Sequence, residues 1–342
     1  MRLTVAVMLS LLPTAALAQE ERPKPSMVDG AIDRGLDFLA KDALAWKKKH
    51  NCVSCHHAGL VIWSMQEVKQ RGRAIDEPVL AELTKWVVES GDGKTGVPRP
   101  EGVPKALNAK AVWLALALGV EAKPDDVTQK GLKALLKTVA SDQTENGSWA
   151  SWPETRPPIF GDSDESMTAL ATLAVLPQAS SGDDGAKSVR DKGIEWLADT
   201  KTDDDPQSIA MRLVLWKRLD RPADEMAPLV KRIKERQNDD GGWSQAKGME
   251  SDAWATGQAL YALAHAGIKA NERVIARGQT LLVNTQREDG SWPMTSRPTK
   301  PGGEGCKSLV PITCAGSAWA VLGLARSAPP FEPGAGPGHR SK

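Results

Sequence analysis

The sequence predicts an all-α protein, an (α/α)6 toroid of six helical hairpins, on three observations. First, the signature Gln-x-x-x-Gly-x-Trp occurs three times, at Gln143 to Trp149, Gln237 to Trp243 and Gln286 to Trp292. A motif that returns at a fixed period marks an array of one supersecondary unit. Second, the copies stand 94 and then 49 residues apart, so two units separate the first pair and one the second. A unit of about 47 to 49 residues is long enough for two helices and their connections. Third, the helical stretches alternate in character. Residues 271–285 carry apolar side chains at helical spacing, whereas residues 313–327 are small and apolar on most faces. An outer ring of half-wet helices around an inner ring of buried ones produces that contrast.

The template places outer helices near 27–48, 78–91, 124–141, 185–200, 224–237 and 271–286. It places inner helices near 57–71, 105–120, 164–176, 206–218, 252–267 and 313–326. Six hairpins close on themselves, whereas an open solenoid would need polar caps at both ends. β-structure finds little support, with one Tyr, three Phe and few alternating runs. Arg34-Gly35, Lys192-Gly193 and Arg277-Gly278 echo one another on outer helices, and their glycines predict close helix packing.

Residues 1–18 have a basic start, an apolar middle and a small-x-small end, the pattern of a cleavable export signal. The expected organisation is a signal peptide over 1–18, the toroid over 27–326 and a disordered Pro/Gly-rich tail over 327–342. The expected location is periplasmic or extracellular. Without Arg2 of the signal, 43 Lys and Arg balance 43 Asp and Glu, which disfavours nucleic acid as a partner. The longest apolar run after the signal, residues 111–120, is too short to span a membrane.

The repeated signature, preceded by Arg277-Gly-Gln-Thr-Leu-Leu in its last copy, resembles the QW repeat of the squalene–hopene cyclase and protein prenyltransferase superfamily. The resemblance covers residues 27 to 326 and implies a toroid in which each Gln and Trp ties a helix end to the next hairpin. It also implies where chemistry could lie. The family's cyclases carry Asp-x-Asp-Asp, whose middle Asp protonates an isoprenoid; here Asp162-Ser-Asp164-Glu165 departs at its last position. Asp164 would be the acid, with Asp162 and Glu165 beside it. A similar opening, Glu250-Ser-Asp252, precedes the fifth inner helix, so such residues also serve as helix starts. The prenyltransferase zinc motif Asp-x-Cys and the thioester motif Gly-Cys-Gly-Glu-Gln are both absent.

The strongest chemical signal is Cys52-Val-Ser-Cys55-His56, followed by His57. Cys-x-x-Cys-His is the attachment pattern of c-type haem: two thiols take the vinyl groups and the adjacent imidazole ligates iron. Haem would bring a redox role and a redox partner protein, with Met294 or Met249 as possible sixth ligand; Met65 lies too deep in its own helix. Two other readings stand beside it. The four cysteines could pair as disulfides, or Cys52, Cys55, His56 or His57 could hold zinc with Cys306 and Cys314. Ring closure makes the first and last inner helices neighbours, so a clasp between Cys55 and Cys314 follows from the template. The functions in play are a haem-bearing toroid, with a hydrophobic small molecule as ligand; an isoprenoid cyclase using Asp164; and a cysteine-clasped binding scaffold. Trp63, Trp113, Trp216, Trp254 and Trp319 fall on inner helices, as core or as the lining of an apolar cavity. His265 falls at the far end of the fifth inner helix, as a surface or core residue.

Overall fold

The computed structural model describes residues 22–50, 53–90, 109–120, 124–151, 158–159, 163–298 and 304–330. The expected signal peptide and the tail beyond residue 330 lie outside these residues. The described residues form twelve α-helices and no strand. The outer helices are α1 (Pro25–Lys49), α3 (Glu77–Ser90), α5 (Asp126–Ser141), α7 (Asp184–Asp199), α9 (Ala223–Glu235) and α11 (Arg273–Thr285). The inner ones are α2 (Leu60–Gln70), α4 (Ala109–Gly119), α6 (Asp164–Ser180), α8 (Pro206–Arg218), α10 (Ala253–His265) and α12 (Val310–Ser327).

Local sequence explains where several of these helices start. Asp125, Ser163, Asp183, Asp205 and Asp252 each cap a helix by accepting a backbone N–H three residues on. Pro25, Pro206 and Pro311 sit in first turns, where a missing N–H costs nothing. Hydrophobic spacing then decides which face is buried. α1 buries Val28, Ile32, Leu36, Leu39 and Ala43 along one stripe, whereas α6 is buried at every residue from Glu165 to Leu176. Each inner helix packs on the next, and α12 packs back on α2, so the ring is closed.

The repeat does the joining. In each copy the indole N–H donates to a carbonyl of the preceding outer helix: Trp149 to Val139 at 2.8 Å, Trp243 to Ile233 and Trp292 to Leu282 at 2.7 Å. The Gln side chain donates to its own turn and to the next outer helix: Gln143 to Val189 at 2.9 Å and Gln237 to Val274 at 2.8 Å. In the last copy the next helix is the first. Gln286 donates to the Ala31 carbonyl at 2.9 Å, across the point where the ring closes. Gly290 of this turn has φ +88°, and a Cβ there would overlap the Arg34 carbonyl. Gly35, Gly193 and Gly278 lie against Trp292, Trp149 and Trp243 respectively, so the close packing expected at the echoed glycines is present.

Aromatic side chains fill the middle. Trp113 of the second inner helix meets Trp254 of the fifth, directly opposite, with ring centroids 6.3 Å apart. Trp63 of the first meets Tyr261 of the fifth at 5.8 Å, and Trp319 of the sixth touches all four. None of the five is more than 3% exposed. Trp216 stands apart, with Arg212 and Arg221 over its ring at 5.6 and 5.5 Å.

Several boundaries differ from expectation, and α6 runs four residues further, to Ser180. Inner helix 1 opens with a π-helical turn, Cys55–Gly59, rather than starting at residue 57. Ser54 caps this turn by accepting the His57 N–H at 3.0 Å, and Gly59 lets it approach the Trp113 carbonyl. Inner helix 6 begins at Val310, because Pro311 is tolerated in a first turn.

Candidate functional site at the seam of the ring

The first and last hairpins meet at α1, the π turn and α12, which all pack on one another. Asp42 and Trp46 stand one turn apart on α1. His57 comes from the π turn and Cys314 from the first turns of α12. His57 Nε2 lies 2.9 Å from Asp42 Oδ2, and its Nδ1 faces Nδ1 of His56. The His57 ring stacks on Trp46 at 4.3 Å with 10° between planes, and His50 stacks on the same indole at 3.9 Å. Ser54 Oγ sits 3.2 Å from His56 Nδ1, so both imidazoles are held. Cys314 donates its S–H to the His56 carbonyl at 3.4 Å. The donor atoms of Asp42, His57 and Cys314 all lie within 4.8 Å of one another.

Burial pushes the Cys314 thiol well above its ordinary pKa, and the charge of Asp42 adds to the effect. A neutral, wholly buried thiol is a poor nucleophile at neutral pH. The chemistry open to it is coordination, in which a metal displaces the proton, or oxidation with a neighbouring cysteine. Cys55, Cys306 and Cys314 are not joined in disulfides in this structure.

The sequence-derived residues divide cleanly. Cys55 and His56 are buried at the seam beside His57, while Cys52 lies outside the described residues. Cys306 is not part of the seam cluster; its N–H donates to Ser296 Oγ at 2.9 Å, in the loop before α12. The grouping of Cys306 with Cys314 is therefore corrected: a helix cap and an irregular loop separate them. Met294 is a core residue seated in the notch that Gly316 leaves on α12. Asp42 and Trp46 were not anticipated. Their signal was present in the sequence, since Asp42, Trp46 and His50 recur every four residues along one stripe of α1.

The carboxylates proposed for proton transfer have structural partners. Asp164 occupies the first turn of α6 and accepts the Ser151 N–H at 2.7 Å. Glu165 forms a buried ion pair with Arg212 Nε at 2.7 Å and accepts the Asp203 N–H at 2.5 Å. Asp162 lies outside the described residues. Burial also raises the pKa of Glu165, of Asp205, the cap of α8, and of Asp252, the cap of α10, the last to about 6 against the bonds from Ala255 and Gln245. At the opposite helix ends, buried Glu67 takes the Tyr261 hydroxyl at 3.2 Å and Arg326 Nη1 at 3.1 Å. Arg326 also lies 3.3 Å from His265, whose pKa burial and nearby arginines lower to about 2.

Two cavities frame the question of a ligand. One, bounded by inner-helix residues including Trp63, Leu116, Pro177 and Arg218, has about 10 Å³ of free space. The other is an open groove of about 450 Å³ on the outside, along Met226, Val230 and Lys234 of α9 beside Ala266.

Among the described residues, these features define an α/α toroid whose axis is filled by aromatic rings at the level of Trp113, Trp254 and Trp319, with a thiol- and imidazole-bearing seam. Residues 212–330 match the family model of the squalene–hopene cyclase C-terminal domain, and the described residues share the α/α toroid fold of solved type II terpene cyclases. A type II terpene cyclase from Scytonema, solved with geranylgeranyl dihydroxybenzoate, superposes with a TM-score of 0.57 at 13% identity, over 90% of this chain and 99% of its own. A glycosyl hydrolase family 88 protein from Bacteroides vulgatus gives 0.57 at 11% identity, over 89% and 98%. A protein from Actinoplanes gives 0.55 at 16% identity, over 88% and 99%. No curated protein matches the chain by sequence. Likeness at such identity carries the fold and leaves the chemistry to the site.

Proposed function

We propose that this chain is an exported binding scaffold, clasped at its seam by cysteine, and that it does not cyclise isoprenoids. The observation that carries this reading is the cluster of Trp63, Trp113, Trp254, Tyr261 and Trp319 that fills the axis among the described residues. A ligand pocket of ordinary size holds about 300 to 1,000 Å³. Among the described residues, the cavity between α2, α4, α6 and α8 holds about 10 Å³, room for one water. Trp113 and Trp254 meet across the ring and occupy the space between two opposite inner helices. Asp164, the acid that the resemblance implies, is engaged by the Ser151 N–H, and Glu165 beside it is paired with Arg212. A hydrophobic small molecule remains the ligand class that the cyclase relative suggests, and the groove along α9 has the volume for one.

A covalent c-type haem is the second reading, favoured by one observation. Cys55 and His56 open the same turn, and Ser54 engages His56 at Nδ1, the arrangement that orients an imidazole toward a ligand through Nε2. The donor set suits the group: Cys55 with Cys52 for the thioether bonds and His56 for the iron. A haem there would supply one-electron transfer to a redox partner protein.

The test is an intact mass and a pyridine haemochrome spectrum on protein exported by a host with cytochrome c maturation machinery. The scaffold reading expects colourless protein at peptide mass, with or without a bound metal or the loss of two hydrogens per disulfide. An added haem mass with a c-type band, lost in Cys52→Ala/Cys55→Ala, would replace it with the haem reading.

A further inference from the structure

We propose that the seam is a zinc site, with Asp42, His57 and Cys314 as ligands and the Cys55 thiolate in the fourth position. This inference rests on the clasped-scaffold reading and gives the clasp its chemistry.

Three segments far apart in the chain bring their donors to one point: α1, the π turn and the start of α12. Around tetrahedral zinc, with bonds of about 2.0 to 2.3 Å, donor atoms stand about 3.3 to 3.8 Å apart. Here His57 Nε2 and Asp42 Oδ2 are 2.9 Å apart, and all three donors fall within 4.8 Å. Movements of about an ångström would therefore bring these three donors to zinc-binding distances. The imidazole is already aimed, because Trp46 stacks on its face and His56 occupies the Nδ1 side, so Nε2 points at Asp42. Cys55 opens the same π turn as His57 and is buried; its sulfur stands outside the three-donor group, so it takes the fourth position by a turn about χ1.

Charge and donor type select the metal. Thiolate, imidazole and carboxylate together suit zinc, whereas calcium and magnesium prefer oxygen alone. A Zn2+ ion offsets two of the three negative charges carried by the Asp42 carboxylate and the two thiolates, leaving the site with one net negative charge. On binding, each coordinating thiol gives its proton to solvent and forms a zinc–sulfur bond, with no change of oxidation state. His57 and Cys314 are wholly buried, so the site is of the closed, structural kind. It differs from the prenyltransferase pattern absent from this sequence, since Asp42 stands on an outer helix and no Asp-x-Cys occurs. Zinc would tie residue 42 to residue 314 and so lock the first hairpin to the last.

The test uses the full exported chain, purified without chelator and equilibrated with zinc at micromolar concentration. Native mass spectrometry and elemental analysis should find one zinc per chain. Cobalt in its place should give thiolate charge-transfer and tetrahedral visible bands. Cys306→Ser should retain the metal, and Cys314→Ser should lose it. Should Cys314→Ser fail to fold, Asp42→Asn keeps the side chain's size and should weaken zinc about tenfold or more in chelator competition. Metal-free wild-type protein with titratable thiols overturns the proposal, as does zinc retained at full affinity in both Asp42→Asn and Cys314→Ser. A chain lacking zinc but two hydrogens light, with Cys55 and Cys314 in one cross-linked peptide, overturns zinc and leaves the clasp standing. Haem on Cys55 overturns both, because the two groups claim the same sulfur.

Discussion

Gly290→Ala should cost markedly more than Gly267→Ala, although the two glycines share one backbone conformation. Their φ angles are +88° and +89°. A Cβ in that region costs about 1 to 2 kcal/mol, less about 0.4 to 1 kcal/mol regained through a stiffer unfolded chain. At Gly267 nothing lies within 4 Å of the added carbon, so the net loss should stay near 1 kcal/mol. At Gly290 the same carbon would enter the Arg34 carbonyl and crowd Phe38 of α1. Relief requires the turn to retreat from α1, stretching the Gln286 bond to Ala31 and the Arg34 bond to Gln286. Overpacking of this kind adds about 1 to 3 kcal/mol, for a total of about 2 to 4 kcal/mol. Urea unfolding at neutral pH, with midpoint and slope fitted for both variants, measures the difference. Equal losses, within about 0.5 kcal/mol, would refute the claim that the third repeat closes the ring by clamping the first helix.

Three further outcomes follow from the buried groups. Trp113→Ala should destabilise by about 3 to 5 kcal/mol. It should also open a dry cavity on the axis, so added indole should restore part of the stability in a thermal-shift titration, while Trp216→Ala should show no such rescue. Asp252 has a folded pKa of about 6, above its ordinary value, so the native state holds an extra proton between about pH 4 and 6 and its stability falls as pH rises through that window. Asp252→Asn keeps a capping side chain without the charge. Its stability relative to wild type should therefore climb by about 2 to 3 kcal/mol from pH 4 to 7, read by denaturant unfolding at each pH. A flat difference would show that the carboxyl is ionised throughout. Arg326→Met should cost about 2 to 4 kcal/mol by stranding the Glu67 carboxylate, and Glu67→Gln in the same chain should recover part of that loss in a double-mutant cycle.

The fold was legible because its information is periodic. Three copies of one turn fixed the unit length, and the contrast between α11 and α12 separated outer from inner helices. The clasp was half legible. Ring closure put Cys55 near Cys314, but Asp42 escaped attention because a lone Asp on an amphipathic helix reads as solvated surface. Only the packing of α1 on the π turn reveals that its stripe of Asp42, Trp46 and His50 faces the seam. The filled axis was illegible for a different reason. A Trp on an inner helix can line a cavity or fill it, and the choice depends on ring diameter and rotamer, which spacing does not encode. The Asp162-Ser-Asp164-Glu165 stretch shows the reverse hazard, a catalytic pattern whose described members serve as helix-start and ion-pair residues.

The filled axis is tested most directly by offering the chain geranylgeranyl dihydroxybenzoate, the compound bound by the Scytonema relative, and following it by chromatography with mass detection. Cyclisation leaves the mass unchanged, so a shift in retention is the readout. The account predicts that the compound returns at its original retention time, at any enzyme concentration. An isomer of equal mass and new retention time, formed by the wild-type chain and abolished in Asp164→Asn or Asp252→Asn, would contradict it.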